Sequence, residues 1–219
     1  LNPHGVVPTL LHEGRPVIDS SVIVEYLDEV FPAKPLMPAD ARGRAAVRAW
    51  MRYFEEVPTA AVRFPSFNQA FVPANFAHQS EEQFAAAARQ RPLRRHFYET
   101  MGRQGFDDRH IRASLEALRA TFARMQQALA DGRPWLAGER LTLADICIYP
   151  QTDRCEDIGL GWLWQEAPAV QGWLQRWRDR PSVGAAFYAG ARLSESYPGV
   201  RERAPTAAWL AAATPPTRE

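Results

Sequence analysis

The chain predicts a small α+β unit of strand–strand–helix type followed by an all-α domain. Three observations carry this. Two short strand-like runs flank a turn within the first 18 residues. A proline-rich stretch follows at Phe31-Pro32-Ala33-Lys34-Pro35-Leu36-Met37-Pro38. Beyond it, apolar residues recur at the three- and four-residue steps of helices.

Each element has its own reason. Val6, Val7, Thr9, Leu10 and Leu11 read as a strand interrupted by Pro8, and Pro16-Val17-Ile18 as a second. His12-Glu13-Gly14-Arg15 is the turn that makes them a hairpin. Asp19-Ser20-Ser21 supplies N-cap chemistry, and Ile23, Tyr26, Leu27 and Val30 give one apolar helical face. Prolines stiffen the linker over residues 32–40. A first long helix is expected over 41–57, ended or kinked by Pro58 and Pro65. Residues 81–101 read as helix interrupted at Pro92. Ile111, Leu115, Leu118, Phe122, Met125 and Leu129 form a stripe for a helix of about five turns. Another helix starts near Thr142 and carries Pro150, which denies a hydrogen bond to the Ile146 carbonyl and predicts a kink. Pro168 and Pro181 suit the first turns of two further helices. The expected division is 1–31, a linker at 32–40, a helical domain over 41–203, and a flexible tail at 204–219.

Charge and composition exclude several classes. There are 26 basic and 25 acidic residues, a net charge of +1, so no global field draws the chain to nucleic acid or an anionic membrane. The seven arginines between residues 89 and 112 read as a solvated helix face. No apolar run is long enough to span a bilayer. The two cysteines, Cys147 and Cys155, are too few for a metal cluster or disulfide framework and read as small buried side chains. No metal is expected, and a reducing cytoplasm is the expected compartment.

Two motifs carry a resemblance. Asn2-Pro3-His4-Gly5-Val6-Val7-Pro8-Thr9-Leu10, with Ile18-Asp19-Ser20-Ser21-Val22-Ile23 and Tyr26-Leu27, resembles the second half of the thioredoxin-like domain of cytosolic glutathione transferases. Trp135-Leu136-Ala137-Gly138-Glu139-Arg140-Leu141-Thr142-Leu143-Ala144-Asp145 resembles the signature of that family's helical domain. The resemblance implies the C-terminal ββα half of a thioredoxin-like domain followed by a glutathione-transferase helical bundle. The bacterial β-etherase and dehalogenase members look most similar.

The resemblance also implies roles. The peptide before Pro8 would be cis, and the N–H and C=O of Val7 would pair with glutathione as an added strand does. Ser20 would hold the γ-glutamyl carboxylate at a helix N-terminus, and Asp19 the ammonium. Plain N-capping is the alternative for both. His4 is a candidate for the glycine carboxylate. Tyr53, Phe54, Phe64 and Phe67 are candidates for the wall of a pocket for the electrophile, with Arg52 a weaker candidate for polarising it. Thr142 and Asp145 are expected to form a capping box, a folding element. The catalytic Ser, Cys or Tyr is expected upstream of Leu1, leaving its identity unknown and the 219-residue chain inactive alone. The implied activity is attack of glutathione thiolate on a hydrophobic electrophile, in a homodimer. A non-catalytic binding or scaffold module of the same fold is the alternative.

Overall fold

The computed structural model describes residues 1–212. Strand β1, Thr9–His12, pairs antiparallel with β2, Arg15–Ile18, in the register Leu10 to Val17 and His12 to Arg15. Glu13 and Gly14 join them, both at positive φ (49° and 75°). Two successive positive φ values are what a two-residue type I′ hairpin needs, one of the turns whose twist matches that of its strands. The strand begins later than expected: Val7 and Pro8 stand before the ladder, joined by a cis peptide.

Helix α1, Ser20–Val30, follows at once. Its buried residues Ser21 and Ile23 face inward. The proline linker is held as well as stiff: Asp28 of α1 accepts the amides of Leu36 (2.6 Å) and Met37 (3.1 Å). Helix α2, Ala41–Glu56, is capped by Asp40, whose carboxylate accepts from Gly43 N at 2.8 Å. Glu25 of α1 and Arg48 of α2 meet at 2.9 Å across the junction.

Pro58 ends α2 and opens a new turn, Pro58–Ala61. Short helical pieces follow at Arg63–Ser66, a π-helical Phe67–Phe71 and Val72–Ala74. Helices α3, Glu81–Arg89, and α4, Arg95–Met101, flank a 3₁₀ turn at Pro92–Arg94. Helix α5, Asp108–Leu129, buries every residue of the apolar stripe. Helix α6, Leu143–Asp157, continues past Pro150 to Asp157. Helix α7, Pro168–Arg178, and the short helix Pro181–Ala186 each carry proline in the first turn.

The core lies between α2, α5, α6 and α7. Phe54, Leu118, Phe122, Ile148 and Trp173 are at most 1 % exposed there. Thr142 and Asp145 form the expected capping box, and the carboxylate does more than cap. It accepts from Thr142 N (3.1 Å) and Oγ1 (3.0 Å), from Leu136 N (2.9 Å) and from Trp173 Nε1 (3.0 Å). One side chain therefore ties the loop before α6 to α6 and α7. Burial pushes this carboxyl above its ordinary value, opposed by those hydrogen bonds.

The segment after residue 203 departs from expectation as far as residue 212. Residues Ala207–Ala211 form a helix, Leu210 is buried, and the Arg112 guanidinium lies 3.8 Å from the Trp209 ring centroid. Arg112 also donates to the carbonyls of Trp209 and Leu210. A cation stacked on an aromatic face and two carbonyl hydrogen bonds hold a stretch whose composition alone reads as loose. The remainder of the predicted tail, residues 213–219, lies outside the described residues.

Candidate functional site

The hairpin unit and the helical bundle enclose a cleft of about 640 Å³. Val7, Pro8, Asp19 and Ser20 form one wall, and Phe54, Glu55, Thr59 and Arg63 stand on the other. Ile146, Cys147 and Pro150 of α6, with Arg94, complete it.

Val7 is the lip. Its side chain is 85 % exposed, and neither its N–H nor its C=O has a hydrogen-bond partner among the described residues. It lies just outside the β1–β2 ladder and on the cleft wall, with a backbone donor and acceptor left unpaired. These are groups that an extended ligand can pair as an added strand does.

Asp19 sits at the junction of β2 and α1 with φ 73° and ψ 126°, in the region that favours glycine. A non-glycine residue kept there marks a position the surroundings over-determine. Its Oδ1 accepts from Ser21 N (3.0 Å), Ser21 Oγ (2.8 Å) and Val22 N (3.3 Å). Burial alone would raise this carboxyl, but the Ser21 hydroxyl and the Val22 and Ser21 amides hold it below the usual aspartate value. The capping reading of Asp19 is therefore satisfied through one oxygen. Glu55 of α2 stands beside the same carboxylate. Two acidic groups at one end of a cleft suit an ammonium. Ser20 is the first residue of α1, exposed at the N-terminus where backbone N–H groups and the helix dipole favour a carboxylate.

The other expected residues are placed elsewhere. Only Phe54 of the four aromatics lines the cleft. Tyr53 hydrogen-bonds Thr121 of α5 at 3.0 Å beneath Arg124. Phe64 and Phe67 pack with Phe97 and Phe106 or Tyr98 in a separate aromatic cluster. The chain bends at Pro58 and again through the π turn, so helical spacing stops predicting a common face. His4 is exposed, its amide bonded to Asn2 Oδ1 at 2.9 Å, and it lies outside the cleft wall. Arg52 pairs with Glu55 at 3.0 Å with its side chain 66 % exposed, on the solvent side of α2.

The cleft also holds residues that sequence reasoning missed. Glu55 lies in the last turn of α2 next to Phe54, and Thr59 lies in the turn after Pro58, where the spacing of α2 no longer applies. Cys147 lines the cleft rather than the core, while Cys155 is fully buried. Burial first, then the negative charges of Glu55, Glu25 and Asp19, push the Cys147 thiol up to about 12. It is a neutral wall group, not a thiolate nucleophile. Arg94, counted in the sequence among solvated arginines, points into the cleft.

A family model described as the N-terminal domain of glutathione S-transferase matches residues 1–35, and one described as its C-terminal domain matches residues 85–176. Glutathione S-transferase U25 of Arabidopsis thaliana is 40% identical over 208 residues, 93% of this chain and 76% of that protein. Protein LigF of Sphingobium is 28% identical over 206 residues, 88% of this chain and 77% of its own length. The crystal structure of LigF, a β-etherase, superposes with a TM-score of 0.73, covering 85% of this chain and 79% of LigF. A Methylobacillus flagellatus glutathione S-transferase solved with glutathione bound is 25% identical, with a TM-score of 0.58, covering 84% of this chain and 76% of its own. The chain belongs to the glutathione S-transferase family. Its fold is the ββα portion of the thioredoxin-like domain joined to the family's helical domain.

No helix among the described residues is long and apolar enough to cross a membrane.

Proposed function

We propose that the cleft binds glutathione and presents its sulfur to a hydrophobic electrophile, as an enzyme of the transferase type. The observation that carries this is the unpaired Val7 backbone on the cleft wall, which Asp19 and the N-terminal residue of α1 also line. Glutathione is an extended peptide with a carboxylate and an ammonium on one terminal carbon. Its backbone matches Val7, its ammonium the Asp19–Glu55 edge, and its γ-glutamyl carboxylate Ser20 and the α1 amides. The solved relative with bound glutathione supports the same reading.

In the transfer, the thiolate sulfur forms a bond to an electrophilic carbon. The bond from that carbon to its leaving group breaks, and the electron pair departs with the leaving group. The thiol proton passes to solvent. The residues described here bind and orient; Phe54, Ile146 and Pro150 exclude water from the electrophile's side. LigF is a β-etherase, which favours an aryl ether carbon over other electrophiles. The two free thiols fit a reducing cytoplasm, and the resemblance implies a homodimer.

A binding-only reading has one observation behind it: Cys147, the sole thiol on the wall among the described residues, is held neutral. Two measurements separate the readings. The protein should be retained on immobilised glutathione, and the Asp19→Ala, Ser20→Ala double variant should not be. Equal retention of both sinks the site. Retention without consumption of glutathione, in the presence of aryl ether or aryl halide, supports the binding module.

A further inference from the structure

Two arginines in the cleft have no partner among the described residues. Arg63 opens the short helix Arg63–Ser66, and Arg94 ends the 3₁₀ turn Pro92–Arg94. Both are half-buried and line the same cleft as Val7, Asp19 and Phe54. Several half-buried arginines have partners: Arg103 holds Glu81 and the Gln79 carbonyl, Arg112 holds two carbonyls, and Arg192 holds Asp153; the Arg154 and Arg180 guanidiniums form no hydrogen bond among the described residues, but they lie outside this cleft. Among the described residues, the Arg63 and Arg94 guanidiniums have no hydrogen bond or ion pair. The charge that Arg63 feels is Arg94, of the same sign.

That arrangement is unfavourable in an empty cleft. Burial first, and then the neighbouring Arg94, lower the Arg63 guanidinium to about 10. An arriving anion would reverse both effects, since it neutralises the repulsion and replaces lost hydration. A guanidinium fork pairs with both oxygens of a carboxylate, a match that the single oxygen of a phenolate cannot offer. The cleft thus combines the acids Asp19, Glu55 and Glu56, the apolar Phe54 and Ile146, and the bases Arg63 and Arg94.

We infer that Arg63 and Arg94 form a carboxylate subsite, and that the electrophilic co-substrate is an aromatic molecule carrying a carboxylate. This rests on the glutathione-transfer reading for what the co-substrate does, but not for whether the subsite binds it. The anion is assigned to the co-substrate because Arg63 belongs to the helical domain, whereas Val7 and Asp19 belong to the hairpin unit that meets the peptide.

The test uses a matched pair, 4-chloro-3-nitrobenzoate and 4-chloro-3-nitrobenzamide, with the parent protein and the Arg63→Gln, Arg94→Gln and Arg63→Lys variants. The parent should favour the benzoate by about tenfold in kcat/KM, and each Gln variant should erase most of that ratio through a higher benzoate KM. Arg63→Lys, which keeps the charge but not the fork, should retain part of it. A parent with no preference overturns the subsite. So does a Gln variant whose glutathione KM rises while the benzoate ratio stays, which would assign the arginines to glutathione's own carboxylate. Calorimetric titration with 3-nitrobenzoate and 3-nitrobenzamide reads the same preference without turnover. A binding preference lost in both Gln variants upholds the subsite, with or without turnover. Equal binding of the two compounds removes the subsite whatever the turnover.

Discussion

Asp19 uses its two carboxylate oxygens differently. Oδ1 is bound by Ser21 and Val22, which fixes the start of α1. The second oxygen has no hydrogen-bond donor among the described residues, and on the proposed reading it meets the ligand's ammonium. Because the folded state holds this carboxyl below its ordinary value, its contribution is complete above the unfolded value and disappears as pH falls through the lower, folded one. Retention on glutathione should therefore persist down to about pH 4 and fall only below it. Loss of retention well above that would place the charge requirement on another group. Asp145 is the structural counterpart. Asp145→Ala should lower unfolding free energy by about 3 kcal/mol, since it strands donors from three segments, whereas Thr142→Ala should cost about 1 kcal/mol. Urea unfolding of the two variants reads the difference. At this scale the sequence was informative wherever the partners are chain neighbours: Val7-Pro8, Asp19-Ser20 and Thr142 with Asp145. It was silent on Glu55 meeting Asp19 and on Arg63 meeting Arg94, because those meetings are made by packing between distant segments.

The elements divide by how their signal arises. Helix α5 was legible because its period is unbroken and its whole stripe is buried. Leu118, fully buried at its centre, should cost about 3 kcal/mol as Leu118→Ala, seen as a lower urea midpoint at unchanged slope. The hairpin was legible through its turn. Gly14→Ala has open space around the new methyl, so any destabilisation, expected near about 1 kcal/mol, isolates the positive φ. No loss would mean that the turn relaxes to another type. The stretch from Pro58 to Ala74 was not legible as geometry. It changes from α to π helix within a continuous aromatic pattern, so Phe64 and Phe67 leave the wall that Phe54 begins. The register of a helix propagates only while its hydrogen bonds keep one spacing.

Across the whole molecule, the site exists because a small hairpin unit is held against a large bundle. Asp28 clasps the linker, Glu25 and Arg48 pair across the junction, and the cleft forms where the two parts face each other. The far end is closed by Trp209 under Arg112. Arg112→Ala should free that segment and speed proteolysis near residues 204–212, with no change in glutathione retention. The family was readable from two motifs at opposite ends of the chain, but the cleft's mix of acids and bases needed the fold. The most direct test of the central claim is a titration of isotopically labelled protein with glutathione, followed by amide resonances. The account predicts the largest shifts at Val7, Ser20 and Ser21, with smaller ones at Glu55 and Thr59. Shifts confined to other surfaces, or none at millimolar glutathione, would contradict it.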